Sequence, residues 1–322
     1  MTKLNLLIIG SNFGKYHLKS SLKSKKFKNI SISSPNIFKK KLSKNIHKFN
    51  DFKFVLKNYK IDMLTIATKP KIQNNILNFI YKEKIFPKLI FLEKPILNDS
   101  LKIIKKFPKK SKILTNFIYM FDEKWNFLKN KIRTKKSNYR FEYEWYFKQA
   151  YFNNNKHTWK VQPSEGGGLI NYYLPHIVFN ILNIFKDIKI IKINKKKYHK
   201  NILIYLEIVF VYNREKSILK INNKSNINLH RFKLINTKNN SGYEIRNNTK
   251  KWLSNFQLKK NNNKIIKFKK QKIKKDGREE VLEKVYSKIE YYFSGKFLDS
   301  NKSLTYKTFS LINKINNKLN ET

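Results

Sequence analysis

Leu4 to Ile9, apolar at every position but Asn5, run straight into Gly10-Ser-Asn-Phe-Gly14, and the residues beyond have the look of a helix start. A short apolar run without alternating polar positions suits a strand buried on both faces, as in parallel sheets covered by helices. Glycines at the turn that follows allow a tight reversal and a close approach of backbone to a bound group. The same rhythm then repeats. Strand-like runs stand at Asn29 to Ser33, Ile61 to Ala67, Lys88 to Leu92 and Ile113 to Phe117, and helical segments at Ser11 to Leu22, Ile72 to Tyr81 and Leu101 to Phe107. Alternation of strand and helix predicts βαβ units and an α/β, doubly wound parallel sheet over residues 1–118.

After Tyr119 the rhythm changes. Trp125 to Lys131 reads as a helix, and Tyr139 to Phe147 alternates sides as a strand does, with Phe141, Tyr143, Trp145 and Phe147 on one face. A polar loop over Asn153 to Glu165 leads to a long apolar helix from Leu169 to Phe185. Strands follow at Ile188 to Asn194, Ile202 to Tyr212, Lys216 to Ile221, His230 to Asn236 and Gly242 to Arg246, and helices at Glu279 to Phe293 and Leu304 to Leu319 close the chain. Runs of strands without intervening helices predict a mostly antiparallel sheet, so residues 119–322 are expected to form an α+β domain.

Composition removes several functional classes. The chain has no cysteine, hence no disulfide framework, thiolate nucleophile or Cys-based metal site, which fits a reducing cytoplasm. No metal is expected. No apolar stretch reaches the roughly 18 residues a membrane helix needs, and Leu4 to Ile9 is too short for a signal-peptide core and ends in a glycine turn. Lys and Arg total 71 against 21 acidic residues, a formal charge of +50. That excess is nearly all lysine, spread along the chain, and it accompanies an excess of Asn, Ile, Phe and Tyr, as a genome drifting toward A and T would produce. Recognition of nucleic acid favours arginine for bidentate contacts. Lys39 to Lys41 and Lys267 to Lys275 therefore read as solvated surface, and no specific nucleic-acid or membrane partner is expected.

Four local features carry chemistry. Gly10-Ser11-Asn12-Phe13-Gly14 lies where a dinucleotide site places its glycine turn, with the pyrophosphate at the N-terminus of the next helix. The full fingerprint is G-x-G-x-x-G; here Asn12 stands where a G-x-G-x-G loop would place its middle glycine and the spacing is one residue shorter, and asparagine tolerates left-handed backbone better than most residues. Taken alone, the turn fits a plain strand-to-helix connection equally well. The second strand ends in Ser31-Ile-Ser33-Ser34-Pro35, with no carboxylate for a ribose 2′-hydroxyl; the Ser33 and Ser34 hydroxyls, with Lys39 and Lys40 beyond, suit a 2′-phosphate better. The cofactor expected is NADP or NAD, with the lean to NADP. Glu93-Lys94-Pro95 ends a buried strand, where open α/β sheets bind ligands and a lysine can orient a hydroxyl or move a proton. By composition alone Lys94 is one more surface lysine. Finally, Gly166-Gly-Gly168 implies close backbone approach or special torsions, and precedes His176, which helical spacing would set on the same side as Tyr172. A lone histidine in an apolar helix is more often a hydrogen-bonded core residue.

In this order these features, with Ile66-Ala-Thr68-Lys-Pro70, resemble the Gfo/Idh/MocA oxidoreductases (glucose-fructose oxidoreductase, inositol dehydrogenase and MocA-like proteins) over most of the first 185 residues. The resemblance implies a Rossmann domain, a C-terminal mostly antiparallel sheet, and NAD(P)-dependent hydride transfer to or from a hydroxyl or ketone of a sugar, polyol or sugar nucleotide. The Gly-Ser-x-Phe-Gly loop and Trp159-Lys160 are similar to members from surface-polysaccharide pathways. By the same resemblance Lys94, His176 and Tyr172 are the catalytic set. Gly10, Ser11, Asn12, Phe13, Gly14, Ser33, Ser34, Thr68, Glu93 and Lys94 surround the cofactor, and the assembly is a homo-oligomer. Tyr172 and Phe179 stand where the family has aspartates, and a tyrosine hydroxyl, with a reference pKa of about 10, carries no charge at neutral pH. A catalytically degenerate member, binding nucleotide as a regulatory or partner subunit, is the alternative.

Overall fold

The computed structural model describes residues 3–43, 45–133, 138–149, 152, 158–198, 202–248, 256–261, 264–268, 278–293 and 296–321. Residues 153–157 of the expected polar loop and 269–275 of the lysine run lie outside them. The chain forms two compact units, residues 1–117 with 278–309 and residues 118–277 with 310–322. The break near residue 118 coincides with the change of rhythm in the sequence. The return of residues 278–309 to the first unit departs from a division into two contiguous domains.

The first unit is built from β1 (Leu4–Ile9), α1 (Gly14–Ser24), β2 (Phe27–Ser33), β3 (Ile46–Phe49), α2 (Phe52–Asn58), β4 (Met63–Ile66), α3 (Pro70–Lys82), β5 (Leu89–Leu92), α4 (Asn98–Lys105) and β6 (Lys112–Thr115). Its six strands are all parallel, in the order β3-β2-β1-β4-β5-β6. The order reverses direction between β1 and β4, so the crevice at their C-terminal ends is the switch point where such sheets bind ligands. Leu7, Ile8, Met63, Leu64, Ile66 and all of β5 are fully enclosed. Each such side chain contributes about 2 kcal/mol by leaving water, which is why these runs read as unbroken apolar sequence.

The second unit holds α5 (Glu123–Arg133), β7 (Tyr139–Lys148), a turn over Leu169–Tyr173, α6 (Leu174–Ile184), β8 (Lys189–Tyr198), β9 (Ile202–Tyr212), β10 (Glu215–Asn222), β11 (Lys224–Asn236), β12 (Gly242–Asn247), β13 (Gln257–Lys260) and β14 (Lys264–Ile266). The eight strands run in the order β14-β13-β12-β11-β7-β10-β9-β8, antiparallel except for the β10–β7 pair. Alternate residues of β7, β9 and β11 are buried, so one face of the sheet forms the core. Phe141, Tyr143 and Trp145 share that face as expected, whereas Phe147 is only half-buried. Trp125 of α5 packs on Tyr143 and Phe232, and Phe185, just past α6, on Phe141.

The chain ends in α7 (Arg278–Ser287), α8 (Ile289–Phe293) and α9 (Lys296–Glu321). Helix α7 joins the first unit by packing along α1: Lys23 pairs with Glu279 at 2.7 Å and with Glu283, and the Ser20 hydroxyl donates to the Glu279 carbonyl. Among the described residues no helix is long and apolar enough to cross a membrane, and no group of His, Asp and Glu is arranged to hold a metal.

Candidate active site

The glycine turn is built by one residue in particular. Gly10 has φ +103°, and an added Cβ would sit 2.4 Å from the Ala67 carbonyl oxygen, so no other residue fits there. Its N–H donates to the Ser33 carbonyl (2.9 Å), and Ala67 N–H to that of Ile9 (2.9 Å), which seats the turn between the ends of β2 and β4. Asn12 is exposed and does not adopt a positive φ; Gly10 alone supplies the left-handed torsion of this loop. The tolerance of asparagine for that conformation is thus not what preserves the turn. Phe13, the residue before α1, makes no side-chain cap, and the first turn of α1 holds no carboxylate. No side chain therefore covers the positive dipole end there, although the Tyr16 N–H already donates to the Phe13 carbonyl at 3.0 Å. The Phe13 ring packs against Tyr16 and His17 of the same helix, with the Arg278 guanidinium over it.

Ser33 is buried, and Ser34 turns its hydroxyl to that of Ser11 (3.1 Å). The Lys40 ammonium reaches the Ser11 carbonyl at 3.2 Å, while Lys39 is exposed. Thr68, half-buried, places its methyl 3.1 Å from where a Gly10 Cβ would lie. The first unit thus brings together the glycine loop, Ser33, Ser34 and Thr68, and of the two lysines beyond the serines it sets Lys40 at the loop and leaves Lys39 exposed.

Two strands along from β1, β5 ends in Glu93-Lys94-Pro95, with a cis Lys94–Pro95 peptide. Lys94 is half-buried. The Glu93 carboxylate turns inward: its Oε1 accepts from His17 Nε2 at 2.8 Å and from Asn116 Nδ2 at 2.6 Å, and the Glu93 carbonyl accepts from Gln73. On its other side His17 Nδ1 meets the Tyr286 hydroxyl at 3.1 Å, which lies 2.9 Å from Thr65 Oγ1. A carboxylate only accepts, so Nε2–H donates to Glu93; with a neutral imidazole Nδ1 then accepts from Tyr286, and Tyr286 from Thr65. Burial pushes the Tyr286 pKa up, which keeps its hydroxyl protonated as this requires. The sequence reading missed His17. Its signal was a histidine three residues past Gly14, on the face of α1 that buries Gly14, Leu18 and Ser21.

The second unit holds His176 and Tyr172. The glycine triplet has both properties expected of it. Gly166 and Gly168 have φ of +82° and +81°, and a Cβ on Gly167 would meet the Trp159 carbonyl at 2.0 Å. Tyr172 falls in a π-helical turn over Leu169–Tyr173, not in the α-helix expected from Leu169, so the four-residue spacing to His176 does not carry the side-by-side placement an α-helix would give. Its ring lies edge-on to Trp159 at 5.5 Å, with the Lys160 ammonium near its face. His176, 1% exposed on α6, has the Tyr119 ring against it at 5.5 Å.

Beside that ring His230 stacks on Trp145 at 4.6 Å and hydrogen-bonds the Tyr143 hydroxyl at 2.6 Å. Trp145 is therefore core packing. Burial pushes the His230 pKa down to about 3. The folded state refuses a proton that the unfolded chain accepts, so the stability His230 confers is complete above its ordinary value of about 6.5 and is lost as pH falls toward 3. The urea midpoint of the wild type should fall through this interval, and that of His230→Gln should fall less steeply; parallel curves would exclude His230 as the cause.

The strand order of the first sheet, with a glycine turn after β1 and an uncapped helix start facing its switch point, defines the class of dinucleotide-binding Rossmann proteins. Residues 4–117 match the model of an oxidoreductase family with an NAD-binding Rossmann fold, GFO_IDH_MocA. No curated protein matches the chain in sequence. Solved structures match over nearly the whole chain. The dehydrogenase MviM from Clostridium difficile is 14% identical with a TM-score of 0.72, covering 98% of this chain and 100% of that one. The WlbA dehydrogenase from Bordetella pertussis, in complex with NADH and UDP-GlcNAcA, is 10% identical with a TM-score of 0.74, covering 99% and 96%. A 3-ketoreductase from Actinomadura kijaniata, in complex with TDP-benzene and NADP, is 6% identical with a TM-score of 0.69, covering 97% and 96%. At these identities the likeness is one of fold.

Proposed function

We propose that the protein is an NAD(P)-dependent dehydrogenase or reductase acting on a hydroxyl or ketone of a sugar, polyol or sugar nucleotide. The observation that carries this is the Gly10 turn, held between the ends of β2 and β4 and opening onto an uncapped helix, in the same unit as Lys94 at the end of β5. The residues present fit a dinucleotide. The loop from Gly10 to Gly14 and the first turn of α1 would hold its diphosphate, and Ser34 with Lys40 its adenosine ribose. When bound, the nicotinamide supplies or accepts the hydride.

The chain itself supplies binding, orientation and proton handling. Lys94 as an ammonium donates a hydrogen bond to the reacting oxygen of the substrate; it gives that oxygen a proton in reduction and takes it back in oxidation. In the second unit the proposal extends to His176 and Tyr172 as substrate-handling side chains, on family resemblance. WlbA in complex with UDP-GlcNAcA and the ketoreductase in complex with TDP-benzene favour a sugar nucleotide as the substrate, and the Trp159-Lys160 resemblance favours surface-polysaccharide metabolism. The lack of cysteine fits a reducing cytoplasm, and the family resemblance implies a homo-oligomer.

The test is a titration of the purified protein with NADPH and NADH read by nicotinamide fluorescence, followed by turnover assays on a panel of sugars and sugar nucleotides. Saturable binding with hydride transfer supports the assignment. Binding without transfer across the panel would leave the regulatory or partner-subunit alternative, and no binding would remove the cofactor.

Within this reading the lean to NADP rests on Lys40, whose ammonium already stands at the loop beside Ser34. A charge-assisted contact with a phosphate contributes about 1.5–3 kcal/mol. Lys40→Ala should therefore weaken NADPH about tenfold or more and leave NADH within about twofold. Equal losses for both nucleotides would mean that Lys40 only braces the loop.

A further inference from the structure

His17 hydrogen-bonds two different elements at once, the end of β5 through Glu93 and helix α7 through Tyr286. It leaves the first turn of α1, is 0% exposed, and ends on the carboxylate of Glu93, whose backbone continues directly into Lys94. The carboxylate is fixed in turn by Asn116 just past β6, and the Glu93 carbonyl by Gln73 of α3. Behind the imidazole stand Tyr286 of α7 and Thr65 of β4. The glycine loop and the lysine are thus not independent features. One imidazole joins the helix that begins at Gly14 to the strand end that presents Lys94, although the two lie 76 residues apart in sequence.

We infer that His17 is a positioning residue: its bond to Glu93 sets where the amides of the glycine loop stand relative to Lys94. The inference rests on the cofactor reading above. Its physical content is a register. A ligand that occupies only the loop is indifferent to the distance between loop and lysine. A ligand that spans both must find that distance already correct, and a join loosened by a few tenths of an ångström costs it affinity and orientation.

The experiment compares two lengths of the same ligand on the folded protein. NADPH is paired with 2′-phospho-ADP-ribose, and NADH with ADP-ribose; the shorter member of each pair lacks the nicotinamide. In His17→Ala the dissociation constant of the dinucleotide should rise about tenfold, and that of the shorter ligand no more than about threefold. His17→Gln, whose amide nitrogen can take the place of Nε2 and donate to Glu93, should restore most of the difference. His17→Asn, which fits the Tyr286 side but is too short for Glu93, should not; it also serves if the alanine variant is poorly folded.

Equal weakening of both ligands would show that His17 supports the loop alone, and unchanged binding of both would show that it sets nothing; either overturns the inference and leaves the cofactor assignment standing. Failure of the wild type to bind any of the four would overturn the cofactor assignment and this inference with it.

Discussion

Lys94→Ala should lower turnover by about a thousandfold while raising the dissociation constant of the nicotinamide cofactor by no more than about tenfold, the first figure being the middle of what a positioned proton donor contributes. The asymmetry follows from where the residue stands. Lys94 sits just past β5, two strands from the glycine turn, and is half-buried, so its loss leaves the loop and the core beneath unaltered. The core side of that strand end is carried instead by Glu93, which the substitution keeps. On the proposed mechanism, what disappears is the group that exchanges a proton with the reacting oxygen. Lys94→Arg sharpens the test: the charge remains, but a guanidinium does not release its proton in this pH range, so binding should survive and turnover should stay low. The measurement is kcat on the substrate the panel identifies, together with a fluorescence titration of the cofactor. Turnover near that of the wild type in the alanine variant would remove Lys94 from the mechanism.

How much of this was legible in the sequence depended on where each element's partners lie. β1, β4, β5 and β6 are enclosed on both faces, which shows up directly as apolar runs, and β9 has the bounds the sequence suggested. β3 escaped notice because Ile46-His-Lys-Phe49 is an edge strand with only Ile46 buried, and its alternation is too short to stand out. β13 and β14, short and lysine-bearing at the far edge of the second sheet, were missed for the same reason. The helical nature of the C-terminal segment was readable, but not its membership of the first unit. That depends on Glu279 and Glu283 meeting Lys23, contacts more than 250 residues long that no local pattern encodes.

The site divides along the same line. Loop, serines and Glu93-Lys94 announced themselves because a glycine turn or a strand end fixes their position locally. His17 did not, because its meaning lies in Glu93 and Tyr286. Tyr172 illustrates the opposite error: its place beside His176 was drawn from regular helical spacing, and a single π turn breaks that spacing.

Gly10→Ala should be the most damaging single-methyl change in the first unit. At φ +103° an L-residue is strained by about 1–3 kcal/mol. The new Cβ would also stand 2.4 Å from the Ala67 carbonyl oxygen and 2.9 Å from its carbon, so the ends of β1 and β4 must part. Forcing extra volume into a packed site costs about another 1–3 kcal/mol. The two effects overlap, since parting the strands relieves some of the torsion, and a loss of about 3 kcal/mol is expected; for a chain of this size that is a fall in Tm of roughly 5–10 °C. The functional loss should be larger than the stability loss suggests. Ala67 accepts the movement at the point where its N–H is bonded to Ile9 and where Gly10 N–H meets Ser33, so the amides that face a diphosphate are displaced together. Binding of NADPH and NADH should weaken by about a hundredfold, or about 2.7 kcal/mol, measured by nicotinamide fluorescence at a temperature where circular dichroism shows the variant folded. Asn12→Ala provides the contrast. Asn12 is exposed and has no positive φ, so removing its amide should leave both Tm and binding close to wild type. If Asn12→Ala were the more damaging of the pair, the diphosphate would be held by that side chain, and the role given to the backbone at Gly10 would be wrong.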